Sequence, residues 1–253
     1  CLNKSRQFSS VQPTPDTAMI LAAGYGLRMR SHCDSLPKPL VPVGGKALIE
    51  YPLALLERAG VKRRVVNVHY MGQHIAEYLQ QRGGETMFSE ERDLLETGGG
   101  IVHALPLIQR DLFFVLNSDV LCLDSTPPVF QQMAAQFDVA RMDALLLLIP
   151  LARATGYEGK GDFCLSPDGV ITLRDEHKPL YVYSGIQLLH RRFFDGAPNG
   201  AFKLGQLYQR YTKEPAFMGR MCGLVHSGDW LHVGDGHGVA EAEAYLARQT
   251  ENV

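Results

Sequence analysis

Three charged residues frame the chemistry open to this chain: Arg28, Lys38 and Asp119. Arg28 follows a glycine pair, Gly24 and Gly26, and Lys38 stands ten residues beyond it. Glycine lets backbone N–H groups come close to a ligand, and a forked guanidinium with a point-like ammonium adds full positive charge to those dipoles. A loop of that kind cradles a polyphosphate. Asp119 closes the string Asn117-Ser118-Asp119 behind an apolar run at 112–116. One carboxylate opposite bound phosphates is a common way to hold Mg²⁺, which keeps waters and takes few protein ligands. The alternative is a turn in which Asp119 caps its own backbone. The glycine pair could likewise be a plain strand-to-loop turn. It does not open a dinucleotide fingerprint, because Met29 stands where G-x-G-x-x-G needs its third glycine, and the Walker pattern is absent as well.

A third polar cluster runs from Ser89 through Glu91 and Glu96 to Thr97-Gly98-Gly99-Gly100. Three glycines in a row let a chain pass flat against a planar group, and Glu91 offers an acceptor to a base N–H. The competing reading is a helix start capped by Thr97, with acidic residues at the positive end of its dipole.

The elements that must position these groups alternate. An apolar strand at 18–21 is followed by an amphipathic helix carrying Ile49, Leu53 and Leu56, a strand at 64–68, and a helix with Ile75, Tyr78 and Leu79 on one face. A short strand at 86–89, a helix from Thr97 through Leu105 and the strand at 112–116 continue the rhythm, which implies a parallel sheet with right-handed crossovers. Further on, the pattern predicts a helix at 127–137, a buried strand at 144–149 and a hairpin at 162–173 about Ser166-Pro167-Asp168-Gly169. Strands at 181–189, 217–225 and 230–233 and helices at 204–211 and 238–249 complete a β-rich second half. In open α/β sheets ligands gather beyond the carboxyl ends of the strands, where all three polar clusters fall.

Composition limits the alternatives. With 253 residues, 45% of them hydrophobic, the chain can bury a large core as one domain over 18–253, behind a polar extension at 1–17 that reads as disordered. Cys1 in the first position leaves a trimmed chain or an acylated terminus open. A net charge of -2 gives no case for nucleic acid, so anion affinity must be local. Five cysteines without C-x-x-C spacing argue for reduced thiols in the cytoplasm. No apolar run approaches the roughly 20 residues of a membrane span. The expected state is a monomer or small homo-oligomer.

The string LAAGxGxRM, followed by Pro37-Lys38-Pro39-Leu40 and Val43-Gly44-Gly45-Lys46, resembles the signature of the sugar-phosphate nucleotidyltransferases. Leu-Glu-Thr-Gly-Gly-Gly at 95–100 resembles a subset of them, the bacterial N-acetylmuramate α-1-phosphate uridylyltransferases and relatives labelled mannose-1-phosphate guanylyltransferases. The likeness covers nearly all of 18–253. It implies a Rossmann-like, mostly parallel but mixed sheet flanked by helices, with a β-rich sugar-binding part. It implies a nucleoside triphosphate, UTP in the first instance, and a sugar 1-phosphate as substrates. Leu21, Ala22, Ala23, Gly24 and Gly26 would line the nucleotide, Arg28 and Lys38 bind the triphosphate, Glu91 and Gly98 meet the base, and Asp119 hold Mg²⁺. Asn117, Gly161, Asp162 and Gly185 would face the sugar phosphate.

Two departures qualify that expectation. Residues 30–33, Arg-Ser-His-Cys, replace the family's stiffer proline-containing loop and place Cys33 among cations, where a thiolate is favoured unless the thiol is simply buried. His232 stands where many relatives carry a second metal-binding Asp. Imidazole is a poor Mg²⁺ ligand, so one carboxylate suffices, or Asp235 substitutes, or Mn²⁺ is used. These departures also open a different class of function, a non-catalytic regulatory subunit that binds a nucleotide sugar. Glu176 and Lys178 read as surface charge.

Overall fold

The structure, a computed structural model, describes residues 14–29, 35–123 and 125–251. Residues 1–13 of the expected extension, and 30–34 with Cys33, lie outside the described residues. Asp16 and Thr17, also within that extension, are tied down: the Asp16 carbonyl accepts from the Lys62 and Arg63 N–H groups, and its carboxylate pairs with Arg110.

From the N-terminus, β1 (Thr17–Leu21) leads through the glycine loop to a small ribbon, β2 (Pro42–Val43) with β3 (Lys46–Ala47), and then α1 (Glu50–Arg58). There follow β4 (Arg63–Val68), α2 (Gly72–Arg82), β5 (Thr86–Glu90), α3 (Glu96–Ile108), β6 (Leu112–Asn117) and β7 (Val120–Cys122). The second half comprises α4 (Val129–Gln136), β8 (Ala144–Pro150), β9 (Phe163–Leu165), β10 (Ile171–Leu173) and β11 (Tyr181–His190). It ends with α5 (Gly205–Lys213), β12 (Met221–Val225), β13 (Trp230–His232) and α6 (Gly236–Glu251).

A nine-stranded mixed sheet runs β10-β9-β11-β6-β1-β4-β5, with β8 and β12 joined through β11. The chain moves outward from β1 to β4 and β5, then returns to β6 on the other side of β1, so the order of strands reverses at β1. Such a reversal opens a crevice at the carboxyl edge. The register lines that edge up: Leu21 of β1 stands opposite Asn67 of β4 on one side and Asn117 of β6 on the other.

Alternation along the strands sends side chains to two separate cores. Ile20, Val66 and Phe114 pack with Leu53 and Leu56 of α1, Ile75 and Leu79 of α2, and Phe130 of α4. Met19, Val65, Phe113 and Val115 pack on the other face with Ile101 and Ile108 of α3 and with Leu207 and Tyr211 of α5. Phe114 and Phe130 meet edge to face at 4.5 Å, an arrangement whose truncation to alanine costs about 3–5 kcal/mol. The α3/α5 wall and the α1/α2 wall therefore rise on opposite faces of one sheet edge.

Three expectations need correction. The 217–225 strand begins only at Met221, because residues 214–219 turn under Arg220 instead of extending. Helix α3 continues through Pro106 to Ile108, the proline falling in the last turn, where its missing N–H and the crowding of its ring leave little helix to disrupt. The strand β7 was not expected at all. It is too short to show an alternation of its own and exists through antiparallel pairing with β13.

Candidate active site

The site starts from the end of β1, where a buried polar chain fixes the first loop. The Ala22 N–H donates to Asn67 Oδ1 (2.8 Å), Asn67 Nδ2 donates to Glu91 Oε1 (2.7 Å), and the other Glu91 oxygen accepts the Leu95 N–H (2.9 Å). The Ser118 N–H donates to the Leu21 carbonyl (3.1 Å), which ties the turn after β6 to the same strand. A second relay steadies the glycine loop from outside. His69 Nδ1 lies 2.9 Å from the Glu91 carbonyl, which can only accept, so Nδ1 carries the proton and Nε2 accepts the Tyr25 hydroxyl at 3.2 Å.

Gly26 adopts a left-handed φ of +59°, and a Cβ there would stand 2.9 Å from Lys38 Cβ. Glycine at this point is what lets the loop lie against Lys38. Around that contact opens a cleft of about 660 Å³, lined by Leu21, Ala22, Ala23, Gly24, Gly26, Arg28, Lys38, Asn67, Leu94, Glu96, Thr97, Asn117, Asp119 and Lys203. A smaller cavity of about 200 Å³ adjoins it, lined by Tyr157, Asp162, Tyr183, Gly185, Trp230 and His232. Arg28, Asn117 and Asp119 line both. At this junction Lys38 Nζ lies 2.5 Å from Asp119 Oδ2, a pair largely but not wholly withdrawn from water. Asp119 sits in the turn between β6 and β7, beyond the strand end.

The smaller cavity depends on the long-range ribbon of β7 and β13, which sets His232 opposite Val120, the residue after Asp119. The His232 ring packs edge-on against Tyr157 and beside Trp230, each at 5.9 Å. Burial holds its pKa below the ordinary 6.5 despite the pull of Asp119, so the imidazole is neutral at pH 7. Asp162 is largely engaged by the fold: its carboxylate accepts the Tyr183 N–H (2.8 Å) and the Tyr157 hydroxyl (3.4 Å). Gly185, at φ +88°, leaves room for Asn117, whose Nδ2 would lie 3.0 Å from any added Cβ.

Four expected residues occupy other roles. Glu91 is buried behind the cleft with both oxygens bonded, so it positions the loop and presents no acceptor to a base. Gly98 lies within α3, its N–H donating to the Phe202 carbonyl (2.9 Å). A Cβ on Gly98 would stand 2.2 Å from Phe202 Cε2, and one on Gly99 would stand 2.3 Å from the Gly200 carbonyl. The glycine run thus serves close packing of α3 against the segment before α5. Gly161 turns the chain into Asp162 with φ +79°. Asp235 caps α6 by accepting the Gly238 N–H (3.0 Å) and lines neither cavity, although its neighbours Val233 and Gly234 do. Glu176 and Lys178 are exposed, with only surface ion pairs.

Among the described residues no three His, Cys, Asp or Glu side chains cluster as a metal site. The donor set fits a hard cation completed by substrate oxygens, with Asp119 as the protein carboxylate and a neutral His232 across the smaller cavity. Sequence reasoning named Glu96 only within the third polar cluster, without a role of its own, and missed Lys203, Tyr157 and the β7–β13 ribbon. No short-range signal marks Lys203, Tyr157 or the ribbon, because each is brought in from a distant segment.

A switch-point cleft lined by a glycine loop, an arginine and a lysine, with a carboxylate where two cavities meet, has the make-up of a nucleotidyltransferase site. Residues 18–154 match the MobA-like NTP transferase domain, and the chain belongs to that family as an enzyme. It is 39% identical over 241 residues, 92% of its length and 98% of the relative's, to the N-acetylmuramate alpha-1-phosphate uridylyltransferase of Caulobacter vibrioides. It is 34% identical over 232 residues, 90% of its length and 96% of the relative's, to the protein of the same name from Neisseria meningitidis serogroup B. The fold matches that of the inositol-1-phosphate CTP transferase from T. maritima with a TM-score of 0.74 at 18% identity, covering 93% of this chain and 97% of that one.

Proposed function

We propose that this enzyme transfers UMP from UTP to the phosphate of N-acetylmuramate α-1-phosphate, releasing pyrophosphate and forming a UDP-sugar for cell-wall recycling in the cytoplasm. The observation that carries this reading is the pair of cavities meeting at Arg28, Asn117 and Asp119, one large enough for a nucleoside triphosphate and one beside it for a sugar phosphate. The near full-length likeness to two uridylyltransferases supplies the particular substrates.

In this reading the nucleotide lies along the larger cleft and the sugar phosphate enters from the smaller one. A sugar phosphate oxygen attacks the α-phosphorus in line, the new P–O bond forms, and the bond to the β-phosphate oxygen breaks. Arg28 and Lys38 neutralise the charge gathering on the transferred and leaving phosphates. Asp119 would hold Mg²⁺ or Mn²⁺, which when bound polarises the phosphate oxygens and screens their charge. Lys38 pairs with Asp119, and arriving phosphates offer that ammonium a second partner. Asn117 and the Gly185 turn shape the wall on the sugar side. No covalent intermediate is needed, since alignment of two bound phosphates accounts for the catalysis.

A matrix of the four ribonucleoside triphosphates against N-acetylmuramate, N-acetylglucosamine, glucose and mannose 1-phosphates, read as pyrophosphate release with Mg²⁺ or Mn²⁺, tests the assignment. UTP with N-acetylmuramate 1-phosphate is expected to be fastest. GTP with mannose 1-phosphate in that place would overturn it.

A further inference from the structure

The larger cleft is also lined by two charged residues with no assigned role, Glu96 and Lys203. Lys203 lies between Phe202 and Leu204, both buried, and is itself exposed along the cleft. Glu96 opens α3 with φ +61°, a left-handed conformation that costs a non-glycine residue about 1 kcal/mol or more. Its neighbours hold it there. The Leu95 N–H is bonded to Glu91, the Leu95 carbonyl accepts the Phe202 N–H (3.1 Å), and Thr97 Oγ1 accepts the Leu204 N–H (3.0 Å). Two strands of contact thus clamp the start of α3 to the segment before α5 and aim both charges into one cleft. Among the described residues neither side chain has an ion-pair or hydrogen-bond partner of its own.

Their surroundings, Phe202 and Leu204, pack in the core under α3 and α5, on the opposite face of the sheet from the core that takes in α1 and Leu40, two residues after Lys38. The phosphates must reach Arg28 and Asp119, because the second cavity opens there. A nucleotide lying across the cleft then brings its base, and not its triphosphate, to Glu96 and Lys203. We infer that Glu96 and Lys203 read the base edge, Glu96 accepting the N3–H of uracil and Lys203 donating to its O4 carbonyl. In that register cytosine reverses both partners: its ring N3 presents a lone pair to the carboxylate and its amino group presents protons to the ammonium. The pair therefore favours UTP over CTP. This rests on the larger cleft being the nucleotide's site, and it identifies what sets the base preference there.

Equilibrium binding to the full chain tests it without requiring turnover. Probes are UTP, UMP, CTP and inorganic tripolyphosphate, against wild type, Lys203→Met and Glu96→Gln. Lys203→Met is expected to weaken UTP and UMP by the same factor, about tenfold, and to leave tripolyphosphate unchanged. Glu96→Gln is expected to narrow the UTP-to-CTP ratio by about tenfold, because the amide can donate as well as accept. Loss of tripolyphosphate binding in Lys203→Met would make the lysine a phosphate contact and overturn the inference. So would an unchanged UTP-to-CTP ratio in Glu96→Gln when circular dichroism and melting match wild type. A chain that binds UTP as described yet fails to use N-acetylmuramate 1-phosphate would leave this inference standing and remove the substrate assignment alone.

Discussion

Lys38 Nζ lies 2.5 Å from Asp119 Oδ2, joining the loop after β1 to the turn after β6 across the point where the two cavities meet. Both groups keep some access to water, at 14% and 30% side-chain exposure, so their mutual attraction contributes no more than about 1 kcal/mol to stability. Asp119→Asn should therefore melt close to wild type while turnover falls by about 10²-fold or more. Electron paramagnetic resonance of Mn²⁺ in the presence of UTP should show the ion's affinity weakened in the same variant. Near-normal turnover would take Asp119 out of the mechanism.

The chain from Ala22 through Asn67 to Glu91 makes a different kind of prediction, because it is buried and every member is bonded. Glu91→Gln keeps the shape but turns one acceptor into a donor that cannot serve both Asn67 Nδ2 and the Leu95 N–H. One buried donor is left unmatched, at a cost of about 1–3 kcal/mol. The expected outcome is a lower unfolding midpoint in urea and a raised KM for the triphosphate, since the first loop loses its brace. A normal midpoint with normal KM would mean that the relay does not position the loop.

Asp143 should set the acid limit of stability. Burial would raise its pKa, but hydrogen bonds from Arg220, Arg192 and Tyr211 prevail and bring it down to about 2. A carboxyl depressed in the folded state stabilises above its unfolded pKa, near 3.9, and the contribution is lost as pH falls toward the folded value. Wild type should thus lose stability between about pH 5 and pH 2, whereas Asp143→Asn should be about 3 kcal/mol weaker at pH 7 and flatter across that window. Thermal melts from pH 2 to 7 decide it. Parallel curves would assign the acid transition to another group.

Much of this could be read in the chain itself, for physical reasons that differ by element. The strands β1 and β6 show as unbroken apolar runs because both their faces are buried, and the glycine loop shows because close backbone approach requires glycine. Arg28, Lys38 and Asp119 followed from that frame. What stayed hidden is non-local. Glu91 and Gly98 are conspicuous in sequence, yet their neighbours Asn67 and Phe202 come from elsewhere and turn them to internal work. His232 reaches the site only because the three-residue β7 pairs with β13. Lys203 carries no motif, since its place is set by the apolar residues on either side of it.

The central claim is that one site joins the α-phosphorus of UTP to a sugar phosphate, and ³¹P NMR of a single reaction mixture tests it most directly. With protein, UTP, N-acetylmuramate α-1-phosphate and Mg²⁺, the sugar phosphomonoester resonance should decline while pyrophosphate and the two coupled resonances of a UDP-sugar rise in equal amounts. Lys38→Ala should suppress all three changes together. Hydrolysis of UTP to UMP or UDP with the sugar phosphate untouched, or no reaction while another nucleotide and sugar phosphate pair is consumed, would contradict it.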